Sequence, residues 1–337
     1  MNNRVKFDIS TTTIIKIALV ILGIWFIFAI KDIVVLFFIV LVIVAALTPM
    51  VDKMSKYIPR IVALLIITII FLSALTAIGF LLIPPIVNQI EQLATNLPYI
   101  LDNLNPTFNN LQIVIKQYQS SLLNLSSELG GFSAGLYSTT VGFFTGIVAI
   151  ITILVLSFYL LLEQNSLRNF MRNLIPEEQE ETVFNIIHKI STKMGNWLRG
   201  QGVLMIVIGI LDWVALAAVG VPYALTLAVW GGLTEIIPYI GPWMGLVPAL
   251  IVAYTVSPVT ALIVIIAYVL IQQLEGHLLV PKMMGKAVGL SPVIIILALL
   301  IGAKLMGVLG VLISVPAAAA ISVIVQEWPE IKKLRTQ

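Results

Sequence analysis

The sequence GGLTEIIPYIGPWMG, residues 231–245, interrupts an apolar run in the second half of this 337-residue chain. Glu235 ends the run, and Pro238, Gly241 and Pro242 follow it closely. Proline lacks a backbone N–H group and glycine weakens helices, so an unbroken helix is not expected here. In a soluble protein the pattern would indicate an ordinary turn, and its meaning therefore depends on the sequence around it.

The composition of the chain indicates that a membrane surrounds this stretch. The chain is 60% hydrophobic and 10% charged, whereas a soluble domain has about 25% charged residues. Apolar runs long enough to cross a bilayer occupy residues 14–30, 33–51, 61–83, 141–162 and most of 203–237. These runs are continuous, unlike the alternating strands of a β-barrel. We expect an all-α, polytopic membrane protein in the lipid bilayer.

Basic residues cluster in alternate loops, and this predicts the orientation. They are Arg4, Lys6, Lys16, Lys53, Lys56, Arg60, Arg168, Arg172, Lys189, Lys193, Arg199, Lys332, Lys333 and Arg335. The loop at residues 84–140 contains a single lysine, Lys116. The positive-inside rule places both termini in the cytoplasm and residues 84–140 outside. A cleaved signal peptide is not expected, because Lys31, Asp32 and a second apolar run follow the first one.

The net charge and the absence of cysteine limit the partners and bound groups that we expect for this chain. The net charge of +3 is too small to indicate nucleic-acid binding, and the chain has no cysteine for disulfides or thiolate metal sites. We expect no metal centre and no cofactor.

The sequence divides into six predicted segments. They are N-terminal membrane helices at 1–83, an extracellular amphipathic helical arm at 84–140, a membrane helix at 141–162, a cytoplasmic amphipathic helix at 163–200, a transporter-like core at 201–326 and a cytoplasmic tail at 327–337.

Within the arm, apolar residues recur at heptad-like spacing from Leu101 to Leu129, and Pro98 and Pro106 predict two or three helices. The arm either packs on its own chain or joins copies into a homo-oligomer. The segment after Pro176 begins with glutamates and ends with basic residues, which is typical of a helix with a solvated face or one lying along the headgroups.

The core at 201–326 contains short apolar pieces separated by helix breakers. The predicted breakers are Gly220, Pro222, Pro238, Gly241, Pro242, Pro292, Gly307, Gly310 and Pro316. Pieces such as 223–237 and 241–256 span roughly 23 Å as helices, less than the ~30 Å hydrocarbon core. They are short spans joined by surface turns, spans in a thinned region, or re-entrant half-helices. A re-entrant break must line a cavity or be buried in protein, as in transporters and channel filters.

Ionisable residues in this half are candidates for a transport pathway, because charge within a bilayer is costly. Asp212 lies within an apolar run, Glu235 and Glu275 lie at the ends of runs, and Lys304 separates two runs. We expect Asp212, Glu235 and Glu275 to contact cargo or a coupling ion. The residues of the break, Pro238, Tyr239, Gly241 and Pro242, are expected to line the same pathway. Lys304 either lines the same pathway or caps a re-entrant tip.

Enzymatic motifs are absent or lack their context, so we do not expect an enzyme. Residues 131–135 match G-x-S-x-G, but a polar loop surrounds them rather than the strand and helix that this motif requires. The sequence has no H-E-x-x-H, and Gly285-Lys286-Ala287 lacks the remainder of a P-loop.

The second half resembles the autoinducer-2 exporter family of bacterial and archaeal membrane proteins. The resemblance rests on RGQG (199–202), GVPYAL (220–225), GGLTEIIPYIGPWMGLVPA (231–249), QQLEGHLLVPKMMGKAVGLSP (272–292) and GVLGVLISVPAAA (307–319). It implies a secondary transporter with about eight segments, re-entrant elements and homo-oligomers, in the plasma (inner) membrane of a prokaryote. By position, the resemblance implies that the motif residues are Glu235, Pro238, Gly241, Pro242, Pro248, Glu275, Pro281, Gly285, Pro292, Gly307, Gly310 and Pro316, and that Pro248, Pro281 and Gly285 are further helix breaks. Asp212 and Lys304 are not part of this resemblance.

The predicted function is that of a permease exporting a small polar solute similar to autoinducer-2, which is the activity that the resemblance implies. The alternative is an antiporter that exchanges sodium or lithium for protons, with Glu235 or Asp212 carrying the proton. A third possibility is a scaffold that acts through its extracellular arm.

Overall fold

The computed structural model describes residues 22–23, 26, 29–102, 141–283 and 289–334, and their regular structure is entirely helical. In chain order the helices are α1 (Lys31–Met54), α2 (Arg60–Asp102), α3 (Val141–Leu162), α4 (Gln164–Arg172), α5 (Glu177–Val219), α6 (Ala224–Thr234), α7 (Gly241–Val256), α8 (Pro258–Leu274), a π-helical turn (Glu275–Leu279), α9 (Val280–Met283), α10 (Pro292–Gln326) and α11 (Trp328–Leu334). The predicted all-α class is confirmed. Residues 103–140 of the predicted arm and most of the first apolar run lie outside the described residues.

Several of these helices have the length and composition of membrane spans. In the described part of the chain, five helices are long and apolar enough to cross a bilayer, or six if the bent pair Val148–Leu162 and Gln164–Arg172 forms one span. Two shorter apolar helices, Ala224–Thr234 and Gly241–Val256, accompany them. The chain is therefore a polytopic helical membrane protein.

Helix α5 organises the described part of the molecule. It contains 43 residues and is about 64 Å long, and it contacts α1, α6, α8, α9 and α10. The helix begins after Pro176 with three glutamates in its first turn and ends at Gly220, whose φ is +76°. Acidic residues favour the positive end of the helix dipole, and glycine tolerates the left-handed cap. The residues predicted as a separate amphipathic helix thus continue without a break into a membrane helix.

Arg199 of α5 contacts α1 at a backbone carbonyl group that Pro49 leaves without its helical hydrogen bond. A proline at this position cannot donate a hydrogen bond to the carbonyl oxygen of Ala45, four residues earlier. Arg199 Nη1 of α5 instead donates to the Ala45 oxygen at 3.2 Å and to the Ala46 oxygen at 2.8 Å. Gly195 lies one turn earlier, and a Cβ atom there would overlap the same Ala45 carbonyl. The arginine therefore satisfies a carbonyl group that the proline leaves free.

Three prolines expected to interrupt or break helices lie inside them. Pro98 lies within α2, which runs past residue 83 to Asp102; Pro248 lies within α7 and Pro316 within α10. At Pro248 the physical reason is visible, because the Met244 carbonyl that it leaves unpaired accepts a 3.0 Å hydrogen bond from Trp230 Nε1. Membrane helices tolerate proline where another group replaces the missing bond.

Helix α10 reverses direction at Met306 and Gly307. Gly307 has φ +59° and ψ −136°, a conformation that only glycine adopts easily. A Cβ atom on Gly302 would meet the carbonyl of Gly310 and lie 2.7 Å from Ser314 Oγ. Residues eight positions apart in a straight helix are about 12 Å apart. Residues 292–305 and 308–326 therefore form two antiparallel legs, which we call the α10 hairpin.

The α10 hairpin packs beside the break that follows α6. Leu299 of its first leg and Val315 of its second form a buried cluster with Trp197 of α5, and Ile237 of the break packs against this cluster. The hairpin and the α6–α7 break thus meet along α5.

Candidate functional site: three buried carboxyl groups

Three acidic residues from separate elements meet at one small cavity. Asp212 comes from α5, Glu235 ends α6, and Glu275 opens the π-helical turn after α8. Their exposed fractions are 1%, 0% and 7%. The cavity is lined by Ile208, Asp212, Gly231, Glu235, Pro242, Gly245, Tyr268, Ile271, Gln272 and Glu275. About 10 Å³ of it is open to the centre of a water molecule, which is room for one water or a small ion.

The break after Glu235 is a tight, hydrogen-bonded turn. Thr234 Oγ1 lies 2.9 Å from the Gly231 carbonyl oxygen and 3.0 Å from that of Gly241, so its single proton bridges the two helix ends. Tyr239 adopts φ +66°, which is uncommon for a residue with a side chain. A Cβ atom on Gly241 would overlap the Thr234 carbonyl and Glu235 Cα. The glycine is therefore required where the chain turns back.

Glycines also let the surrounding helices approach each other. A Cβ atom on Gly245 of α7 would lie 2.9 Å from Gly231 Cα of α6, and one on Gly232 would lie 2.6 Å from the Met205 carbonyl of α5. A Cβ atom on Gly231 would overlap Asp212 Oδ2. Gly231 thus leaves the space that the carboxyl group of Asp212 occupies.

Polar atoms without hydrogen-bond partners concentrate at this site. Both carboxyl oxygens of Glu235, Asp212 Oδ1, the Tyr268 hydroxyl and Gln201 Oε1 are buried and unpartnered in the structure. Such groups are rare in folded proteins and point to a bound water, ion or proton, or to a functional role. The site therefore has capacity for a charge or a hydrogen-bond donor that the described side chains do not supply.

Two glutamine contacts position the acidic residues. Gln272 Nε2 donates to Glu275 Oε2 at 2.9 Å. Gln201 Nε2 donates to the backbone carbonyl of Glu235, which lies at the end of α6. The carboxyl groups of Glu235 and Glu275 lie close enough to affect each other, as do the Tyr268 hydroxyl and Asp212, but neither pair has the geometry of a hydrogen bond. The glutamine contacts thus hold the carboxyl group of Glu275 and the backbone at Glu235.

The acidic groups of the site have no basic side chain beside them in the cavity lining. The cavity lining includes three carboxyl groups and no lysine, arginine or histidine. Within the described ranges, no three acidic or histidine side chains are arranged to hold a metal ion. Chemically, this arrangement can bind protons or water, and binding of a small cation would require the carboxyl groups to move closer together.

The remaining predicted residues are distributed around this site. Pro242 lines the cavity, Gly241 is buried, Pro238 is half-buried and Tyr239 is 47% exposed. Lys304 is exposed, two residues before the reversal of the α10 hairpin, and is not part of the cavity lining.

The predicted helix breakers occupy the following places. Gly220 and Pro222 separate α5 from α6, Pro281 lies in α9, Pro292 begins α10, Gly307 and Gly310 belong to the hairpin, and Gly285 lies outside the described residues.

Three polar residues of the site, Tyr268, Gln272 and Gln201, were not predicted from the sequence, whereas Glu275 was. Tyr268, Gln272 and Glu275 are spaced by four and three residues and therefore share one helix face, a signal that the sequence does contain. Gln201 lies 34 residues before Glu235, and no local pattern connects the two.

Comparison with known proteins gives the family. The profile of the AI-2E family of transporters matches residues 14–330. The chain is 29% identical to "Putative transport protein YueF" of Bacillus subtilis over 301 residues, covering 85% of this chain and 82% of that protein. "Putative transport protein YrrI" of the same organism is 26% identical over 277 residues, with coverages of 80% and 78%.

A third relative comes from another bacterium. "Putative permease PerM" of Escherichia coli (strain K12) is 26% identical over 280 residues, covering 79% of this chain and 78% of that protein. The profile spans the broken helices and all three acidic residues as well as the N-terminal spans. The chain therefore belongs to the AI-2E family of transporters and is a multi-pass protein of the plasma membrane.

Proposed function

We propose that this chain is a secondary transporter whose acidic site, formed by Asp212, Glu235 and Glu275, exchanges a proton for a monovalent cation. The observation that carries the proposal is the group of unpartnered, buried carboxyl oxygens in a cavity without a basic side chain. A buried carboxylate without a partner is unfavourable by several kcal/mol or more. Positive charge, as a proton or a cation, therefore has to accompany the site.

The size of the cavity favours a small occupant. Its open volume of about 10 Å³ suits a water molecule, a hydrated proton or a desolvated monovalent ion. The arrangement also places Glu235 at a break between two short helices, where transporters form sites at the ends of interrupted helices. Movement of α6 against α7 would then change which side of the membrane the carboxyl groups face.

Sodium-driven proton movement in proteoliposomes tests this function. Protein is reconstituted with a pH-sensitive dye in the lumen, and sodium is added outside. The wild type is expected to raise the lumenal pH, because protons leave as sodium enters. Glu235→Gln keeps the shape of the side chain but cannot release a proton, and it should abolish the signal. Glu178→Gln, which replaces an exposed carboxyl group in the first turn of α5, is the matched control.

The proposal fails if neither sodium, lithium nor potassium moves protons through the wild type. It also fails if Glu235→Gln transports as the wild type does.

Export of a small polar solute similar to autoinducer-2 is the second candidate function, and membership of the AI-2E family favours it. The cavity in this structure is too small for such a solute, so the broken helices would have to separate to admit it. Solute efflux from loaded vesicles that is indifferent to sodium and to pH would support this function over antiport. Efflux that requires a cation gradient and Glu235 would join the two functions in one transporter.

A further inference from the structure

Helix α4 leaves the end of a membrane span at a steep angle. Helix α3 has 22 residues, about 33 Å, which is enough to cross the hydrocarbon core on its own. The angle between Val148–Leu162 and Gln164–Arg172 is 71°. Because α3 runs across the membrane, α4 lies closer to the membrane plane than to its normal.

The junction between α3 and α4 lies at the membrane–water boundary. The guanidinium group of Arg60 donates to the Leu161 carbonyl at 2.8 Å, to Asp52 Oδ1 at 2.9 Å and to Gln164 Oε1 at 2.6 Å. An exposed ion pair of this kind belongs in water or among headgroups. Tyr159, 56% exposed near the end of α3, is of the residue type that marks this boundary. Helix α4 thus starts at the depth of the headgroups.

The two sides of α4 differ in what they contact. Arg168 lies over the Phe184 ring at 5.3 Å, and Arg172 forms an ion pair with Glu180. Both partners belong to the first turns of α5, so the basic side of α4 is held against α5. The opposite side of α4 carries Leu167 and Phe170, and Leu174 lies in the turn that follows the helix.

These three side chains form an exposed apolar surface, which we call the α4 apolar face. Leu167, Phe170 and Leu174 have exposed fractions of 41%, 61% and 69%. They project away from α5, because the arginines that contact α5 lie on the other side of the helix. An apolar surface at this depth, with polar residues behind it, has the pattern of a helix that lies in the membrane interface.

We infer that the α4 apolar face is a lipid-binding surface that inserts into the headgroup–acyl boundary of the leaflet where α3 ends. The bilayer is the occupant because α4 directly follows α3, whose Ile151 and Val155 side chains are 53% and 47% exposed, as expected for a helix that faces lipid. It also lies at the depth where the Arg60 contacts place the membrane boundary. By this arrangement α4 fixes the start of α5, the helix that carries Asp212, to the membrane surface. The inference does not depend on the transported ion or solute.

Site-specific fluorescence quenching tests the inference on the full-length chain. The sequence contains no cysteine, so single cysteines at Phe170→Cys and Asn169→Cys can be labelled with bimane without background. The labelled proteins are reconstituted in vesicles of phosphatidylethanolamine and phosphatidylglycerol. A phosphatidylcholine with a doxyl group near its headgroup quenches from the lipid, and iodide quenches from water.

The label at Phe170→Cys is expected to be quenched strongly by the doxyl lipid, to be protected from iodide and to emit at shorter wavelength. The label at Asn169→Cys, on the polar side of the same helix, should show the reverse. Leu174→Cys provides an independent second position and should behave as Phe170→Cys does.

Two results would overturn the inference. If iodide quenches position 170 as strongly as position 169, the α4 apolar face is in water. If position 170 is protected from both quenchers, protein covers the face, either from the same chain or from a second copy.

Discussion

Gly231 is the residue on which the geometry of Asp212 depends most directly. Its missing side chain leaves the space for Asp212 Oδ2, and Gly245 of α7 approaches from the other side. Asp212 lies near Tyr268 and forms part of the cavity that Glu235 and Glu275 share. A single added methyl group should therefore disturb the site without removing any of its polar groups.

Gly231→Ala is expected to reduce both transport and stability. The new Cβ atom would overlap Asp212 Oδ2, and overpacking of this kind costs about 1–3 kcal/mol. The thermal midpoint in detergent and the proton flux in proteoliposomes should both fall. Gly202→Ala is the control, because nothing lies within 4 Å of its Cβ position in α5. Equal behaviour of the two variants would show that Asp212 does not need the space at Gly231.

Among the helices, the α10 hairpin has the clearest consequence for topology. Each leg is shorter than the 35 residues of the whole element, and the first leg is about 21 Å long. Because the legs are antiparallel, the two ends of α10 should lie on the same side of the membrane. A straight helix of this length would place them on opposite sides.

Cysteine labelling of Ser291→Cys and Trp328→Cys tests this arrangement. Ser291 directly precedes α10 and Trp328 begins α11 two residues after it, and both are exposed. A membrane-impermeant maleimide should modify both from the same side of sealed vesicles, because the chain reverses at Gly307. Modification of the two positions from opposite sides would contradict the hairpin.

The sequence predicted well those helices whose ends carry strong local signals. The apolar run at residues 141–162 coincides with α3, and the piece at 241–256 coincides with α7, where Gly241-Pro242 starts the helix and Ser257-Pro258 ends it. The break after Glu235 was likewise visible, because proline and glycine act on the backbone nearby.

Contacts between residues far apart in the sequence explain the features that could not be predicted from it. A helix break was predicted at Pro248, although the helix continues there. The Trp230 indole that donates to the Met244 carbonyl oxygen comes from another helix, so the sequence near Pro248 does not reveal it. The meeting of Asp212, Glu235 and Glu275 depends on how α5, α6 and α8 pack. Each residue was a candidate by its charge, but no spacing in the sequence joins them into one site.

The described part of the molecule is arranged around α5, which links the acidic site to the α1 contact and to the α10 hairpin. Arg199 binds α1 near Pro49, Trp197 packs with the hairpin, and Asp212 faces the cavity. These contacts lie on one continuous helix. The cytoplasmic location of both termini and the homo-oligomeric arm remain predictions from the sequence.

The central claim is that the buried carboxyl groups act as one proton-binding unit. Sodium-driven proton flux measured for the wild type, Glu235→Gln, Glu275→Gln and the double variant tests it most directly, since residues that act as a unit have non-additive effects. We predict that each single variant loses the flux and that the double variant is no more impaired than the worse single variant. Partial losses that multiply in the double variant would contradict the claim, because the two glutamates would then act independently.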